Sequence, residues 1–170
     1  MVDLLPFSRA HFEELSTWFA NERDAVQWGG PSITFPIDAS QLNVMLEEMR
    51  ADPPTRLCWM ARHDREIVGH AQLGLDRRNG NATLGRVAIA PKARGRGFAA
   101  AMLSLVIADA FARREIERVE LHVFTFNIPA IRAYQGLGFK HEGVRRSSAL
   151  VGSERWDTAI MAMLRDEWLG

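Results

Sequence analysis

Three stretches of this chain carry residues whose types and spacing could do chemistry. The first runs from the apolar Val87-Ala88-Ile89-Ala90 through Arg94-Gly95-Arg96-Gly97 into an alanine-rich segment that begins Phe98-Ala99. A strand followed by a loop and a helix start presents unpaired N–H groups and the positive end of a helix dipole, which together suit a phosphate. Gly95 and Gly97 let the backbone come close to such an anion, with Arg94 and Arg96 beside it. The second stretch is "VELHVFTF". Its period-two alternation sets Glu120, His122, Phe124 and Phe126 on one face and Val119, Leu121, Val123 and Thr125 on the other. The third is "NIPAIRAY", Asn127 to Tyr134, where Asn127 stands at a helix cap and Tyr134 offers a phenol.

Several kinds of phosphate site resemble the first stretch. A P-loop needs G-x-x-x-x-G-K-[ST], and no Lys followed by Ser or Thr succeeds either glycine. Gly95, Gly97 and Ala100 do fit the dinucleotide fingerprint, with Glu120 near the spacing of a ribose-binding acid. That fingerprint demands a tight turn straight off the strand. Here Pro91 intervenes, and Glu120 falls early in its own strand.

The whole chain narrows the choices. Its 170 residues, 47% of them hydrophobic, suit a single domain over 1–170 with one core. Lys plus Arg and Asp plus Glu are both 21, so no global field favours nucleic acid or an anionic membrane. The single cysteine, Cys58, reads as core filling, and no Cys-rich metal site is expected. Asp3 stands where a secretory signal would be basic, and the longest apolar run, Phe98 to Ala108, is well short of the roughly 20 residues of a membrane span. A cytoplasmic protein without metal is the expectation. Oligomeric state is left open, a homodimer included.

These stretches must be positioned by the elements around them. "LLPF" reads as an edge strand, "SRAHFEELSTWFANE" as a helix capped by Ser8, "DAVQWGGPSITFPID" as a structured connection, and "ASQLNVMLEEMR" as a helix capped by Ser40. From Arg56, short turns at "DRE" and "DRRNGN" between apolar runs indicate an antiparallel meander. A long helix from Gly97 to about Arg113, a strand over "ERVELHVFTF", a helix from Asn127 stopped by Gly138, and two closing strands complete the order. This is an α+β arrangement with one β-α-β crossover.

Arg94-Gly95-Arg96-Gly97-Phe98-Ala99 resembles the R/Q-x-x-G-x-G/A signature of the GNAT superfamily of N-acetyltransferases, and "VAIAP" resembles its fourth strand. Asn127-Ile128-Pro129-Ala130-Ile131-Arg132-Ala133-Tyr134, followed by Gly138-Phe139, resembles the superfamily's next motif at the right distance. "GFKHEGVRR" and the closing "RDEW" resemble the ribosomal-protein N-terminal acetyltransferase (RimJ/RimL-like) branch.

The resemblance implies a mixed, mostly antiparallel sheet of six to seven strands with about four helices. It also implies direct transfer of an acetyl group from acetyl-CoA to a primary amine: a protein N-terminus, a small metabolite, an aminoglycoside or a polyamine. By the same resemblance the loop amides hold the coenzyme pyrophosphate. Val87, Ala88 and Ile89 hold the pantetheine, the Ile89 N–H faces the oxyanion, and Asn127 lies nearby. Tyr134 would give a proton to the departing thiolate, although Ile131, Tyr134 and Leu137 also fit the spacing of a core-facing helix edge. His122, where related enzymes carry a glutamate, is a candidate base, with Glu120 the runner-up and a structural histidine the plain alternative. Trp28, Phe35 and Asp38 are candidates to line the acceptor pocket, and Glu142 and Asp157 to meet a cationic acceptor. A non-catalytic coenzyme-binding module is the competing class.

Overall fold

Short turns join the three strands that follow residue 55 into a meander, and the first strand of the chain pairs along its edge. A computed structural model describes residues 1–170. β1 (Val2–Pro6), β2 (Arg56–His63), β3 (Glu66–Asp76) and β4 (Asn81–Ile89) pair antiparallel in that order. β5 (Arg118–Phe124) joins β4 in parallel, and β7 (Glu154–Leu164) lies between β5 and β6 (Lys140–Val151), giving the order β1-β2-β3-β4-β5-β7-β6. The expected α+β sheet is therefore present with seven strands and one parallel pair. No helix is long and apolar enough to cross a membrane.

Five helices accompany the sheet, one more than expected. α1 (Phe12–Ser16) follows a 3-10 turn and stops short of Trp18 and Phe19. There the Ser16 and Thr17 hydroxyls donate back to the carbonyls of Glu13 and Glu14 at 2.9 and 2.7 Å, a local bonding that competes with helix continuation. α2 (Glu22–Gly29) occupies the stretch read as a connection. The Gly29-Gly30-Pro31 run marks its end, and Asn21 caps its start by accepting from the Asp24 N–H at 2.9 Å. α3 (Ala39–Arg50) is capped by Asp38, not Ser40: the Asp38 carboxylate accepts from the Gln41 N–H at 3.0 Å and from the Ser40 hydroxyl at 2.6 Å. α4 (Phe98–Ala112) is the crossover between β4 and β5, and α5 (Ile128–Gly136) carries the Asn127 cap. Cys58 is buried, and burial pushes its thiol up to about 12.

β3 is covered on both faces, and neighbouring residues show by what. A side chain at Gly69 would meet Met102 of α4 at 2.8 Å, whereas the next residue, His70, stacks edge-on against Trp28 of α2 and Phe7. Successive strand residues point to opposite faces, so α4 and α2 sandwich the sheet. His70 is fully buried. Its Nδ1 donates to the Arg86 carbonyl at 2.7 Å, and burial pushes the ring down to about 3, so it is neutral.

The β3–β4 turn is tied to the far end of the crossover. Asp76 accepts from the Asn79 N–H and side-chain amide, at 3.1 and 2.6 Å. Gly80, at φ +70°, turns its carbonyl to the N–H groups of Glu117 and Arg118 at 2.8 and 3.2 Å. A side chain at Gly80 would lie 2.9 Å from the Glu115 carbonyl oxygen.

Two stability predictions follow from these contacts. Gly80→Ala adds a clash to a left-handed backbone that itself costs about 1–2 kcal/mol, so urea unfolding should show a loss of at least that size with an unchanged m value. For His70, the unfolded chain takes up a proton below about pH 6.5 that the buried ring refuses down to about pH 3. Stability is therefore full above the unfolded value and falls as pH drops, with a slope approaching about 1.4 kcal/mol per pH unit. Denaturant titrations between pH 7 and 5 should show this fall in the wild type and lose it in His70→Gln.

Candidate active site

β4 and β5 pair only from Asn81–Leu84 against Arg118–Leu121, and then separate. The cause lies on the other side of β4. Between the pairs His70–Ala88 and Gln72–Gly85, β4 carries one extra residue, a bulge at which Arg86 takes φ +47°. The carbonyl of Arg86 accepts from the Trp28 indole N–H at 2.8 Å and from His70 at 2.7 Å. Both lone pairs of that oxygen are thereby used.

The separation opens a cleft of about 480 Å³ between the two strands and the helices that follow them. Val87, Ala88 and Ile89 form one wall, His122 of β5 another, and Asn127 and Tyr134 a third. Ala90 donates to the Val68 carbonyl at 3.0 Å, so by the alternation of an antiparallel pair the Ile89 N–H faces away from β3, toward the cleft. The Ile89 carbonyl accepts from Arg94 Nε at 3.3 Å.

Tyr134 is the only tyrosine in the chain and is buried to 8% exposure. Its ring meets Phe139 edge-on at 5.9 Å. Burial alone pushes its hydroxyl up to about 12, so it keeps its proton throughout the neutral range. The Asn127 side chain accepts from the Ala130 N–H at 3.3 Å and so holds the start of α5 against the cleft.

The glycine loop lies at the other end. Gly95 and Gly97 have φ of +74° and +79°, Gly97 is the residue that starts α4, and nothing lies within 4 Å of where a side chain would project from either. That open space beside free helix-start amides fits the phosphates of a coenzyme A. The unpaired edge of β4 fits its extended pantetheine arm. Arg94 and Ala99 reach the cleft wall. Arg96 instead lays its guanidinium 4.8 Å from the Phe98 ring, and Phe98 packs against His63.

A second cavity of about 460 Å³ continues from the first and shares with it Trp28, Gly85, Arg86 and His122. Its remaining walls come from the end of α2 and the residues after it, from Thr83 of β4, and from β2, β3, β6 and β7. Trp28 thus stands at the junction. Phe35 is 42% exposed and lies outside both cavities, and Asp38 is spent on its cap. Glu120 is outside them too, because Arg118 holds it at 2.9 Å while gripping both oxygens of Glu142 at 2.8 and 2.5 Å. Asp157 accepts from the Ser147 N–H at 2.7 Å.

Arg86 was not among the residues singled out from the sequence. A signal existed: it falls in phase with the buried Ala82 and Leu84, where a core strand should not carry a charge. Its guanidinium sits 5.3 Å from the Trp28 ring, and its Nη1 is buried without a hydrogen-bond partner.

Comparison with known proteins agrees with this geometry. The family model described as acetyltransferase (GNAT) family matches residues 14–139. An uncharacterized N-acetyltransferase from the SPbeta prophage of Bacillus subtilis is 31% identical over 81% of this chain and 77% of its own length. An L-amino acid N-acetyltransferase of Escherichia coli is also 31% identical, over 71% of this chain and 76% of its own. In structure, a spermidine N-acetyltransferase from Vibrio cholerae, crystallised with CoA and spermine, superimposes with a TM-score of 0.84. It covers 99% of this chain and 98% of its own at 19% identity. With the splayed strands, the glycine loop and the family match in agreement, this chain belongs to the GNAT family of acetyltransferases and is an acetyl-CoA-dependent N-acetyltransferase.

Proposed function

We propose that this enzyme acetylates a small primary amine at the junction of the two cavities, with His122 as base and Tyr134 as acid. The observation that carries the reading is the placement of Tyr134 and the Ile89 N–H on one cleft, with His122 where that cleft meets the second cavity. Acetyl-CoA supplies an activated thioester carbonyl. The chain's own groups have three tasks around it.

His122 removes a proton from the amine as it attacks, directly or through one water. The Ile89 N–H meets the negative charge that builds on the carbonyl oxygen. Tyr134, held protonated by burial, gives its proton to the departing thiolate. Val87 and Ala88 offer the strand edge to the pantetheine, and the amides from Gly95 to Ala99 cradle the pyrophosphate, with Arg94 alongside. Glu120, tied to Arg118, has no part in this scheme.

Small amines are favoured over a protein N-terminus. The "RDEW" tail that suggested the RimJ/RimL-like branch serves the fold here: Arg165 donates to the carbonyls of Phe111 and Arg113 at 2.7 and 2.6 Å, and Glu167 accepts from the Leu164 N–H at 2.9 Å. Those contacts carry no information about an acceptor. The E. coli relative is named for L-amino acids and the V. cholerae neighbour for a polyamine, and both are small amines.

Tyr134→Phe keeps the ring and its packing and removes only the hydroxyl. kcat should fall about 100-fold or more, while calorimetric affinity for CoA is retained; an unchanged kcat would remove Tyr134 from the mechanism. Gly97→Ala places a methyl in the open space beside the start of α4, and calorimetry should show CoA binding weakened by roughly tenfold. Binding equal to wild type would move the pyrophosphate site elsewhere.

A further inference from the structure

The second cavity has an unbalanced charge. Arg56, Arg86 and Arg145 all face it, and no Asp or Glu lines it. On the walls of the first cleft the single carboxylate is Asp24, which accepts from the Ala20 N–H at 3.3 Å. Of the other carboxylates that could have served a cationic acceptor, Glu120 and Glu142 are paired to Arg118, and Asp157, which accepts from the Ser147 N–H, lines neither cavity.

The three arginines differ in how far they are compensated. Arg56 is ion-paired through Nε to Glu48. Arg145 has no carboxylate partner and is exposed on β6. Arg86 has none either; its charge lies over the Trp28 ring, and Nη1 is buried with no acceptor. A buried charged donor left unpaired is costly and calls for a partner. Burial and the neighbouring Arg56 both push Arg86 below the usual arginine range, the direction that a bound anion would reverse. Gln72, Thr83, Ser148 and Thr158 add neutral donors and acceptors to the same walls.

We infer that the acceptor is a small primary amine bearing an anionic group, a carboxylate or a phosphate, held by Arg86 and Arg145 with Arg56 alongside. This rests on the acetyl-transfer reading above. The amine end lies at the junction beside His122, and the anion lies among the guanidinium groups. Planar guanidinium forks match two oxygens of one carboxylate or phosphate, which fixes orientation as well as charge. A polyamine, cationic along its length, meets the guanidinium groups of Arg86 and Arg145, neither with a carboxylate partner, and no carboxylate on these walls.

The test uses the full-length enzyme with acetyl-CoA and follows released CoA thiol. The acceptors are matched pairs: L-methionine with L-methioninamide, L-phenylalanine with its amide, and O-phosphoethanolamine with ethanolamine, with spermidine alongside. The amide of each amino acid has the less basic amine and hence more free base at neutral pH, so a preference for the acid reports recognition, not nucleophilicity. At least one anionic member should exceed its neutral partner tenfold or more in kcat/KM. Whether the amino acids or the phosphate pair shows the ratio identifies the anion.

Arg145→Gln, at an exposed position, should reduce that ratio about tenfold, the size expected for one charge-assisted hydrogen bond. Its calorimetric affinity for CoA should be unchanged. Arg86→Gln provides a second reading of the same ratio. Turnover of spermidine with rejection of every anionic amine overturns the inference, as does a ratio untouched by both variants, or CoA binding with no anionic amine acetylated. Failure of CoA to bind the wild type is a different result. It removes the acetyl-transfer reading itself.

Discussion

One carbonyl oxygen governs the geometry of this molecule. The oxygen of Arg86 accepts from an indole on α2 and from a neutral imidazole on β3, and so locks a bulge into β4. Without those donors a left-handed arginine in a strand would be a strained position with no compensation. With them the bulge is held from two elements at once. β4 leaves β5 just after Leu84, and the cleft follows from that departure. The arrangement also explains why a histidine is retained in the core: the Nδ1 of His70 supplies a donor that an apolar residue of similar size would lack.

The same departure divides the chemistry in two. On one side lie the free edge of β4, the start of α4 and the phenol of Tyr134, a surface of backbone N–H groups and one proton. On the other lies a cavity of arginines and neutral polar side chains. A strand pair that stayed zipped to its end would have buried the backbone edge that serves the first side. It would also have closed the junction that joins the two sides.

The parts legible from sequence were those set by local rules. Turns at "DRE" and "DRRNGN" gave the meander, alternation gave β5, and the glycine loop gave the start of α4, because turn chemistry and periodicity act over a few residues. α2 was hidden because its closing glycines look like a loop, while its cap, Asn21, is shared with many turns. Local spacing points to Ser40 as the cap of α3; the contact that decides for Asp38 is its carboxylate on the Gln41 N–H. Phe35 and Asp38 are candidates for the acceptor pocket as residues of the early segments, and Glu120 is a candidate base one pleat from His122. Phe35 lies outside both cavities, Asp38 caps α3 and Glu120 pairs with Arg118, placements that depend on tertiary contacts. Arg86 was overlooked for the converse reason. An arginine inside a strand is explained only by an indole and an imidazole that are 58 and 16 residues away.

The junction between the cavities has a chemical consequence of its own. The side chains shared by both are those of Gln27, Trp28, Leu84, Arg86, His122 and Phe124. None is a hydroxyl, a thiol or an amine, and the one cysteine is buried elsewhere, so this passage has no group on which an acyl unit could be parked as a durable ester, thioester or amide. Direct passage of an acyl unit from one side to the other suits this border, because each side has its own walls. The border between them is a place of passage and stores nothing.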